Sequence, residues 1–461
     1  MHERYYRSLL RRIAVVGLLT CGLWGQQVSP TGAPSVQVSA NAPAVDETEK
    51  LIQRIGRDLV GFGEQLVAGG GFGYSIAPLG DFDGDGVPDI AVVAPEEAPG
   101  GVLYLLFLRP GGKVKDYRRI SATEGGFGGD LAACSCGFLF VDCAGDINGD
   151  GVVDLVVGAP MDPSGGTLWI LFLDANGEVL TQQRIANGQG GLPPGTLEPD
   201  TLVSSYFGWS VAGVGDFDGD GTPDIVTGAP GHPQGGFVGV GAIFLLFMNP
   251  DGTVREHRVL YSNDTPDFSF FFGMSVAQLG DLDGNGVVDL ATSFRYSPNF
   301  ETEQEDVMIL FMQPDGSIGT TSTIDSVSLG IVTCCWWSMG FGRGLASIDD
   351  LDGDGLRDLI VGKPAGDFFG DGVPWGTPSA FIFNLSADGS IHGIMEIADQ
   401  TPYSELFLQE LSSFGWAVVS PGDLDGDGRA DLVVGAPNTS YDDGMTEQLF
   451  GELTVLFHLP D

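Results

Sequence analysis

The sequence predicts an all-β fold: a β-propeller of four-stranded antiparallel blades, with six blades favoured and seven as the alternative. Three observations predict it. A nine-residue acidic motif recurs six times at nearly constant spacing, each interval holds four strand-like runs, and no segment shows helical periodicity. The 72 Gly and 27 Pro residues suit short strands joined by tight turns. Repeated four-stranded blades closed into a ring satisfy all of these observations.

The charge balance restricts the kinds of partner. The 461-residue chain has 62 acidic and 20 basic residues, a formal net charge of −42, and 43% of it is hydrophobic. It therefore has enough apolar residues for a folded core and is not a disordered acidic tail. Nucleic acid and anionic membrane surfaces are poor partners for such a chain, whereas cations are good ones.

The first residues have the layout of a secretory signal peptide, which we assign to residues 1–25. Basic residues precede an apolar run of about a dozen residues, too short to cross a bilayer as a mature helix. Cys21 ends the sequence LLTC, so a lipid anchor at this cysteine is an alternative to simple cleavage. Residues 26–48 are interpreted as a flexible linker and residues 49–461 as the propeller. We therefore expect an exported protein, located in the extracellular space, in the periplasm or at the cell surface.

The acidic motif reads DFDGDGVPD, DINGDGVVD, DFDGDGTPD, DLDGNGVVD, DLDGDGLRD and DLDGDGRAD, starting at Asp81, Asp146, Asp216, Asp281, Asp350 and Asp423. The intervals are 65, 70, 65, 69 and 73 residues. A period of this size is typical of a repeat architecture, so one unit describes the whole fold.

Each repeat contains the same succession of runs. A Phe-Gly pair lies nine positions before the first Asp in five repeats and is reversed, as Gly137-Phe138, in the second. A short strand leads from the pair into the acidic loop. A second run follows, such as DLVVGAP at 154–160, and then a third, such as AIFLLFM at 242–248. A hairpin turn such as NPDG leads into a fourth, more polar run, which completes one blade.

The two ends of the chain complement one another. The last repeat stops at its third strand, whereas Gln53-Arg54-Ile55 resembles the fourth-strand sequence Arg118-Arg119-Ile120. Ile55 lies 26 residues before the first acidic loop, as Ile120 does before the second. We therefore expect the N-terminal strand to complete the last blade and to remove the open edges of the array.

The acidic loop predicts a calcium site. Oxygen-bearing side chains at positions 1, 3, 5 and 9, with Gly at position 6, match the first nine positions of a calcium loop, and the carbonyl at position 7 can add an oxygen. Hard oxygen ligands in a flexible loop suit Ca²⁺ better than Zn²⁺. We expect up to six Ca²⁺ ions, one per repeat. The predicted ligands are Asp81, Asp83, Asp85, Val87 and Asp89; Asp146, Asn148, Asp150, Val152 and Asp154; Asp216, Asp218, Asp220, Thr222 and Asp224; Asp281, Asp283, Asn285, Val287 and Asp289; Asp350, Asp352, Asp354, Leu356 and Asp358; and Asp423, Asp425, Asp427, Arg429 and Asp431.

Two other interpretations of the loop are weaker. An EF-hand needs a Glu at position 12 and flanking helices, and here position 12 is Val or Thr within a strand. Plain turn composition is the second alternative, because Asp and Gly dominate turns. Six copies in register favour a metal site instead. Asn148 and Asn285, which replace Asp in two copies, keep the oxygen and drop only the charge.

Together, the Phe-Gly pair, the acidic loop and the Gly-Ala-Pro turn resemble the FG-GAP repeats of the integrin α-subunit propeller and of related bacterial proteins, over residues 50–461. The resemblance implies calcium loops between strands one and two of each blade, on one face of the disc, and an opposite face that binds protein or glycan ligands in adhesion or recognition. Several features depart from the integrin pattern. Integrin propellers have seven blades, and most of their blades lack the calcium loop. Repeat four has Ser293-Phe294-Arg295 in place of Gly-Ala-Pro, and repeat five has Gly362-Lys363-Pro364.

Catalytic motifs are weak. The five His residues are scattered. The sequences GWSVA around Ser210 and GMSVA around Ser275 resemble a nucleophile elbow but lack its second Gly. We expect no catalytic residues and no cofactor besides Ca²⁺. The alternative is a calcium-dependent polysaccharide-degrading enzyme, lyase-like, on a propeller scaffold.

The cysteines permit several pairings. Cys134, Cys136 and Cys143 lie close in sequence, and Cys334 and Cys335 are adjacent. An exported protein favours disulfides, and both a vicinal 334/335 bond and a bond from Cys134 or Cys136 to another site stay open.

The connections between strands two and three are long in repeats four to six and carry aromatic residues, as does the CCWW stretch before repeat five. Aromatic side chains on irregular loops are common anchors for protein or sugar ligands. The alternative is that they pack the long loops onto the disc. The expected ligand-face residues are Phe300, Trp336, Trp337, Phe369, Trp375 and Tyr441.

Overall fold

A computed structural model describes the residues between 51 and 459, except for 58–61, 98–99, 129–139, 199–203, 236, 263–268, 297–303, 332–339, 366–376, 400, 402, 404–405, 407, 409–411 and 443–446. Residues 1–25 and 26–48, for which a signal peptide and a linker are predicted, lie outside this range. Of the six cysteines, only Cys143 is described, and it is a free thiol.

The described residues form an all-β propeller of six blades. In chain order its strands are β1 (Ile52–Gly56), β2 (Ser75–Gly80), β3 (Asp89–Ala94), β4 (Val102–Arg109), β5 (Lys113–Ile120), β6 (Phe140–Gly145), β7 (Asp154–Ala159), β8 (Thr167–Leu173), β9 (Val179–Ile185), β10 (Ser210–Gly215), β11 (Asp224–Ala229), β12 (Ala242–Met248), β13 (Val254–Leu260), β14 (Ser269–Phe270), β15 (Val276–Gly280), β16 (Asp289–Tyr296), β17 (Gln304–Met312), β18 (Ile318–Ile324), β19 (Leu345–Ile348), β20 (Asp358–Lys363), β21 (Ser379–Leu385), β22 (Ile391–Ile397), β23 (Ala417–Gly422), β24 (Asp431–Ala436), β25 (Ser440–Asp442), β26 (Glu447–Leu449) and β27 (Glu452–Leu456).

Each of the first five blades is built from consecutive strands paired antiparallel in sequence order. They are β2–β5, β6–β9, β10–β13, β15–β18 and β19–β22. The sixth blade has the order β23-β24-β27-β1. Strand β1 pairs antiparallel with β27, with Ile55 opposite Leu453. The expected closure by the N-terminal strand is therefore present, and it leaves the sixth blade with the same four strands as the others.

The core lies between the blades. The second strand of a blade is buried at every residue in β3, β7, β11 and β24, because both of its faces are covered by neighbouring blades. One apolar cluster joins Val156 and Phe172 of blade two to Ile225 and Phe244 of blade three. The fourth strands, such as β5 and β9, are partly exposed because they form the outer rim. Their exposure explains why the fourth run of each repeat is more polar than the other three.

The Phe-Gly pair and the Gly-Ala-Pro turn interlock adjacent blades. Phe207 is fully buried and bridges Gly166 of the preceding blade. Gly208 has φ +88°, and its carbonyl lies against the preceding blade's turn, where a Cβ added to Gly158 would be 2.0 Å from the Gly208 oxygen. The same approach occurs at Gly228, Gly362 and Gly435 and needs a residue without a side chain, whereas repeats one and four have Val93 and Ser293 at this position.

Three features were not predicted from the sequence. A turn of 3-10 helix, Gly63–Gln65, follows β1. The two-residue strand β14 adds to the fourth blade by pairing with β16. Within the long connection of the sixth blade, β25 and β26 form a separate hairpin. All three are short local additions that leave the repeat pattern unchanged.

Candidate metal sites and comparisons with known proteins

Each acidic loop joins strands one and two of its blade, and its ninth residue is the first residue of strand two. Glycines at positions four and six have positive φ in every copy, for example +77° at Gly84 and +90° at Gly86. A side chain at either position would strain the backbone. The loop is therefore a tight turn that directs the alternate side chains inward.

The loops also share their internal hydrogen bonds. The first-position carboxylate accepts the N–H of the sixth-position glycine in all six, as from Gly86 to Asp81 at 2.9 Å. The fifth side chain accepts the N–H of position seven, as from Val87 to Asp85 at 3.0 Å. These bonds hold the carboxylates in place and leave further lone pairs on their oxygens for a cation.

The ninth-position carboxylate is buried in every loop, with at most 1% of the residue exposed. In the first blade one Asp89 oxygen accepts the N–H of Phe82 at 3.1 Å and the other accepts that of Leu108 at 2.8 Å. It thereby ties the loop to the end of strand three. Burial raises the pKa of Asp89 to about 6 and that of Asp154 to about 7. A bound cation would favour the ionised form of both groups.

Asp431, the ninth residue of the sixth loop, differs from its counterparts. One of its oxygens accepts the Leu424 N–H at 2.7 Å, but the other, Oδ1, is buried with no hydrogen-bond partner among the described residues. The residue at the position that supplies this second N–H in the other five blades is His458, which lies beyond the end of β27 and has φ +52°. This oxygen is a buried acceptor with unused capacity beside the other carboxylates of its loop.

The structure brings the predicted side-chain ligands together. Oxygens of three loop carboxylates lie within 4.8 Å of one another in loops one, three and four. In loops five and six two carboxylates converge with a histidine. The carbonyl positions Val87, Val152, Thr222, Val287, Leu356 and Arg429 all lie in these turns. The metal ligand set itself stays a prediction.

A lysine or arginine side chain from strand four reaches into two of the loops. Lys115 contacts Asp83 at 2.6 Å and also Asp85. Arg255 contacts Asp218 and lies 2.9 Å from Asp220. Each is the residue skipped by a β-bulge opposite the end of strand three. Such a bulge turns its side chain away from the regular alternation and toward the loop.

Histidines contact the loop carboxylates in two other blades. The bulge residue of blade five, His392, bonds to Asp352, and this contact raises the pKa of the imidazole. In blade six His458, just after β27, lies 2.8 Å from Asp427 and 3.4 Å from Asp425. The sequence reasoning missed these basic residues, although the constant place of Lys115, Arg255 and His392 near the start of strand four is a signal that could have found three of them.

The two loops with an asparagine lack a basic partner from strand four. Their bulge residues are Leu180, 65% exposed, and Gly319. In their place, the amide N–H of Asn148 donates to Asp150 at 2.9 Å, and that of Asn285 donates to Asp283 at 3.2 Å. Four carboxylates with one base, or three carboxylates with one amide, give the same formal charge of about −3. Loops one to four thus carry the same formal charge.

The predicted ligand face is mostly outside the described residues. Phe300, Trp336, Trp337, Phe369 and Trp375 fall in the undescribed stretches, and Tyr441 belongs to β25 without a described side chain. Its assignment stays a prediction.

Comparison with known proteins supports the repeat assignment. The sequence matches the FG-GAP repeat family at residues 72–106, 141–171, 207–246 and 414–446. The chain is a protein of FG-GAP repeats. The four matched segments are repeats one, two, three and six of this FG-GAP protein. The two remaining repeats have Ser293-Phe294-Arg295 and Gly362-Lys363-Pro364 at the turn, and matched repeat one has Val93-Ala94-Pro95.

Integrin α subunits are similar to this FG-GAP protein. Integrin alpha-5 of Xenopus laevis is 32% identical over 244 residues, which is 50% of this chain and 20% of that protein. Integrin alpha-3 of Cricetulus griseus is 30% identical over 212 residues, 46% of this chain and 18% of that protein. The FG-GAP protein thus resembles the integrin α propeller and corresponds to about a fifth of these subunits. The solved structure of BBS1N in complex with ARL6DN aligns with a TM-score of 0.37 at 12% identity, covering 85% of this chain and 94% of that chain.

Proposed function

We propose that this FG-GAP protein is an exported, non-enzymatic recognition module whose six acidic loops bind Ca²⁺ and whose opposite face binds a protein or glycan ligand. Similarity to integrin α subunits supports an adhesion or recognition role. No helix in the described part of the chain is long and apolar enough to cross a membrane. Export rests on the signal-like residues 1–25, with Cys21 as a possible lipid attachment site in the extracellular, periplasmic or surface-bound protein.

The observation that carries the calcium proposal is the convergence of loop carboxylates, three in each of loops one, three and four and two in each of loops five and six. The unused buried oxygen of Asp431 adds to it. A buried carboxylate oxygen without a partner is costly. The nearby carboxylates of Asp423, Asp425 and Asp427 supply hard oxygens, which suit a cation of the Ca²⁺ class, and His458 lies beside two of them. These residues fit the ion.

In each loop the side-chain oxygens at positions one, three, five and nine, including those of Asn148 and Asn285, and the carbonyl of position seven would hold the ion. Bound Ca²⁺ supplies positive charge that offsets their repulsion. In the first five blades the ninth carboxylate anchors the loop to strand three. In all six loops the N–H of the sixth-position glycine orients the first carboxylate. The expected consequence is a stiffer hairpin between strands one and two.

Calcium binding is tested by thermal unfolding of the mature protein with Ca²⁺ and after chelation. Chelation should lower the melting temperature, and added Ca²⁺ should restore it, because ligand binding to the folded state stabilises it. Asp220→Ala should lower the number of bound ions by one. Asp251→Ala is the matched control, because Asp251 lies in the same blade and caps the β12–β13 turn through Thr253. Identical melting curves with and without chelator would refute the proposal.

The recognition function is tested by screening the calcium-loaded protein for binding to glycans and to extracellular proteins. The comparison variant combines Trp336→Ala, Trp337→Ala and Trp375→Ala. A ligand lost by this variant supports the predicted face. A ligand bound equally well by both places the site elsewhere, and turnover of a polysaccharide would favour the lyase-like alternative.

A further inference from the structure

The innermost strands of the six blades surround a central cavity of about 360 Å³. Strands β2, β6, β10, β15, β19 and β23 each contribute to its wall. Arg343 lies two residues before β19, at the end of the channel away from the acidic loops, since loop five follows β19. A guanidinium group therefore lies at one mouth of the channel.

Aromatic rings surround this guanidinium. Its carbon atom Cζ lies 4.3 Å from the ring centre of Trp416, 5.2 Å from that of Phe140 and 5.6 Å from that of Tyr74. The rings favour a cation at this place. They also leave Arg343 only 6% exposed, so water satisfies little of its hydrogen-bonding capacity.

The Arg343 head group has unused donors. Neither Nε nor Nη2 has a hydrogen-bond partner among the described residues. No carboxylate of the described chain lies within ion-pair distance of it; Asp142, which lines the same cavity, accepts the Gly213 N–H at 3.0 Å. A buried arginine usually has an acceptor, because its unpaired N–H groups are costly to desolvate.

The backbone that carries Arg343 is, by contrast, held firmly. The Ser275 hydroxyl donates to the Arg343 carbonyl at 2.6 Å. Two preceding N–H groups, those of Gly340 and Phe341, donate to the Glu305 carboxylate at 2.7 and 3.1 Å. Glu305 is in turn paired with Arg295 at 2.8 Å. The backbone of Arg343 is thus fixed by hydrogen bonds, whereas donors of its guanidinium group stay unused. A preorganised binding group has this arrangement.

The geometry points to a carboxylate-binding site at this mouth of the channel, in which Arg343 receives an acidic side chain inserted by a protein partner. A guanidinium matches a carboxylate with two parallel hydrogen bonds. Because the Arg343 guanidinium is recessed, it is reached more easily by an acidic side chain, whose carboxylate lies at the end of a flexible chain, than by a sugar carboxyl group. The carboxyl group of a uronic acid sits directly on a sugar ring and would require the ring to enter. This inference deepens the recognition function proposed above by naming the chemistry of the partner.

The test is a titration of the calcium-loaded protein with a capped Gly-Gly-Glu-Gly-Gly peptide, followed by tryptophan fluorescence and calorimetry. The matching Gln peptide is the uncharged control, and glucuronate is the sugar comparison. We expect the Glu peptide to bind and Arg343→Met to weaken it at least tenfold, as expected for loss of a charge-assisted pair. Arg357→Met is the matched control. Arg357 lines the other end of the same cavity and is already paired with Asp349 at 3.2 Å, so its loss should leave the affinity unchanged.

Arg343→Lys keeps the charge and removes the planar fork, so it should also weaken binding and serves if Arg343→Met does not fold. Equal peptide affinity in the wild type and in a folded Arg343 variant would overturn the site. Binding of glucuronate but not of the Glu peptide would contradict the claim that the carboxylate comes from a protein partner. Failure here is distinguishable from failure of the proposed function, because the ligand screen depends on the loop tryptophans and not on Arg343.

Discussion

The Nζ atom of Lys115 lies 2.6 Å from Oδ2 of Asp83, so that strand β5 places an ammonium group inside the acidic loop of its own blade. These contacts with Asp83 and Asp85 raise the pKa of Lys115, which keeps the group charged. If the loop binds Ca²⁺, the ammonium and the ion compete for the same carboxylates. Blade two, with Leu180 at this bulge, has no such competitor among the described residues.

Replacing Lys115 with Leu, the residue of blade two, should therefore tighten calcium binding in loop one by about tenfold, because a positive charge in contact with two of the predicted ligands is removed. Hydrogen exchange of a peptide spanning residues 81–89, measured against free Ca²⁺, isolates this loop from the other five. Lys113→Leu is the control, since Lys113 lies on the same strand and is exposed. An unchanged or weaker midpoint in Lys115→Leu would contradict the competition.

The interlock of adjacent blades predicts a large effect at Gly228. A Cβ added there would lie 1.8 Å from the Gly273 carbonyl oxygen of the next blade, a distance that requires the blades to separate. Gly228→Ala should destabilise the protein by roughly 3 kcal/mol or more, measured by urea unfolding. Gly128→Ala, whose nearest new contact would be the flexible end of Gln182 at 3.3 Å, should change stability little. Similar effects in both variants would show that the blades are not locked at this carbonyl.

Ring closure is tested at equivalent positions of two blades. Ile55 of β1 and Ile120 of β5 are both fully buried at the same place in their fourth strands. If β1 is as firmly integrated as an ordinary strand, Ile55→Ala and Ile120→Ala should each cost about 2–4 kcal/mol in free energy of unfolding. A neutral Ile55→Ala beside a destabilising Ile120→Ala would mean that β1 is not docked in solution.

His232 gives the stability a pH dependence. Its ring is 8% exposed and packs against Phe244 and Tyr261, with Nδ1 3.0 Å from the Ser205 hydroxyl. Burial lowers its pKa to about 4, against about 6.5 in the unfolded chain. The unfolded state therefore takes up the proton first, and the stability present above pH 6.5 is lost as the pH falls toward 4.

At pH 5 this loss amounts to about 2 kcal/mol relative to pH 8. His232→Asn removes the titrating group and retains a hydrogen-bonding atom for Ser205. The difference in unfolding free energy between the wild type and this variant, measured from pH 8 to pH 5, isolates the effect from that of the carboxylates. A difference that stays constant over this range would show that His232 titrates normally in the folded protein.

Much of this architecture follows from the sequence alone. The period of the acidic motif, the four runs in each repeat and the match between residues 53–55 and 118–120 predict the number of blades, their strands and the closing partner. These features are local or periodic: alternating burial, turn residues and glycines with positive φ act within a few neighbours. Because the motif occurs six times, the pattern stays recognisable when a single copy differs.

Only the tertiary structure shows how distant residues meet. The sequence contains Gly158 and Gly208 as separate motif residues, but the close approach of a carbonyl to a missing side chain exists only between packed blades. The bulge that turns Lys115, Arg255 and His392 into their loops depends on strand register, which residue spacing does not specify. Arg343 reads in the sequence as an ordinary arginine after a Phe-Gly pair. The aromatic rings around it belong to Tyr74, Phe140 and Trp416, which lie in three other blades. Only closure of the ring of blades brings these residues together.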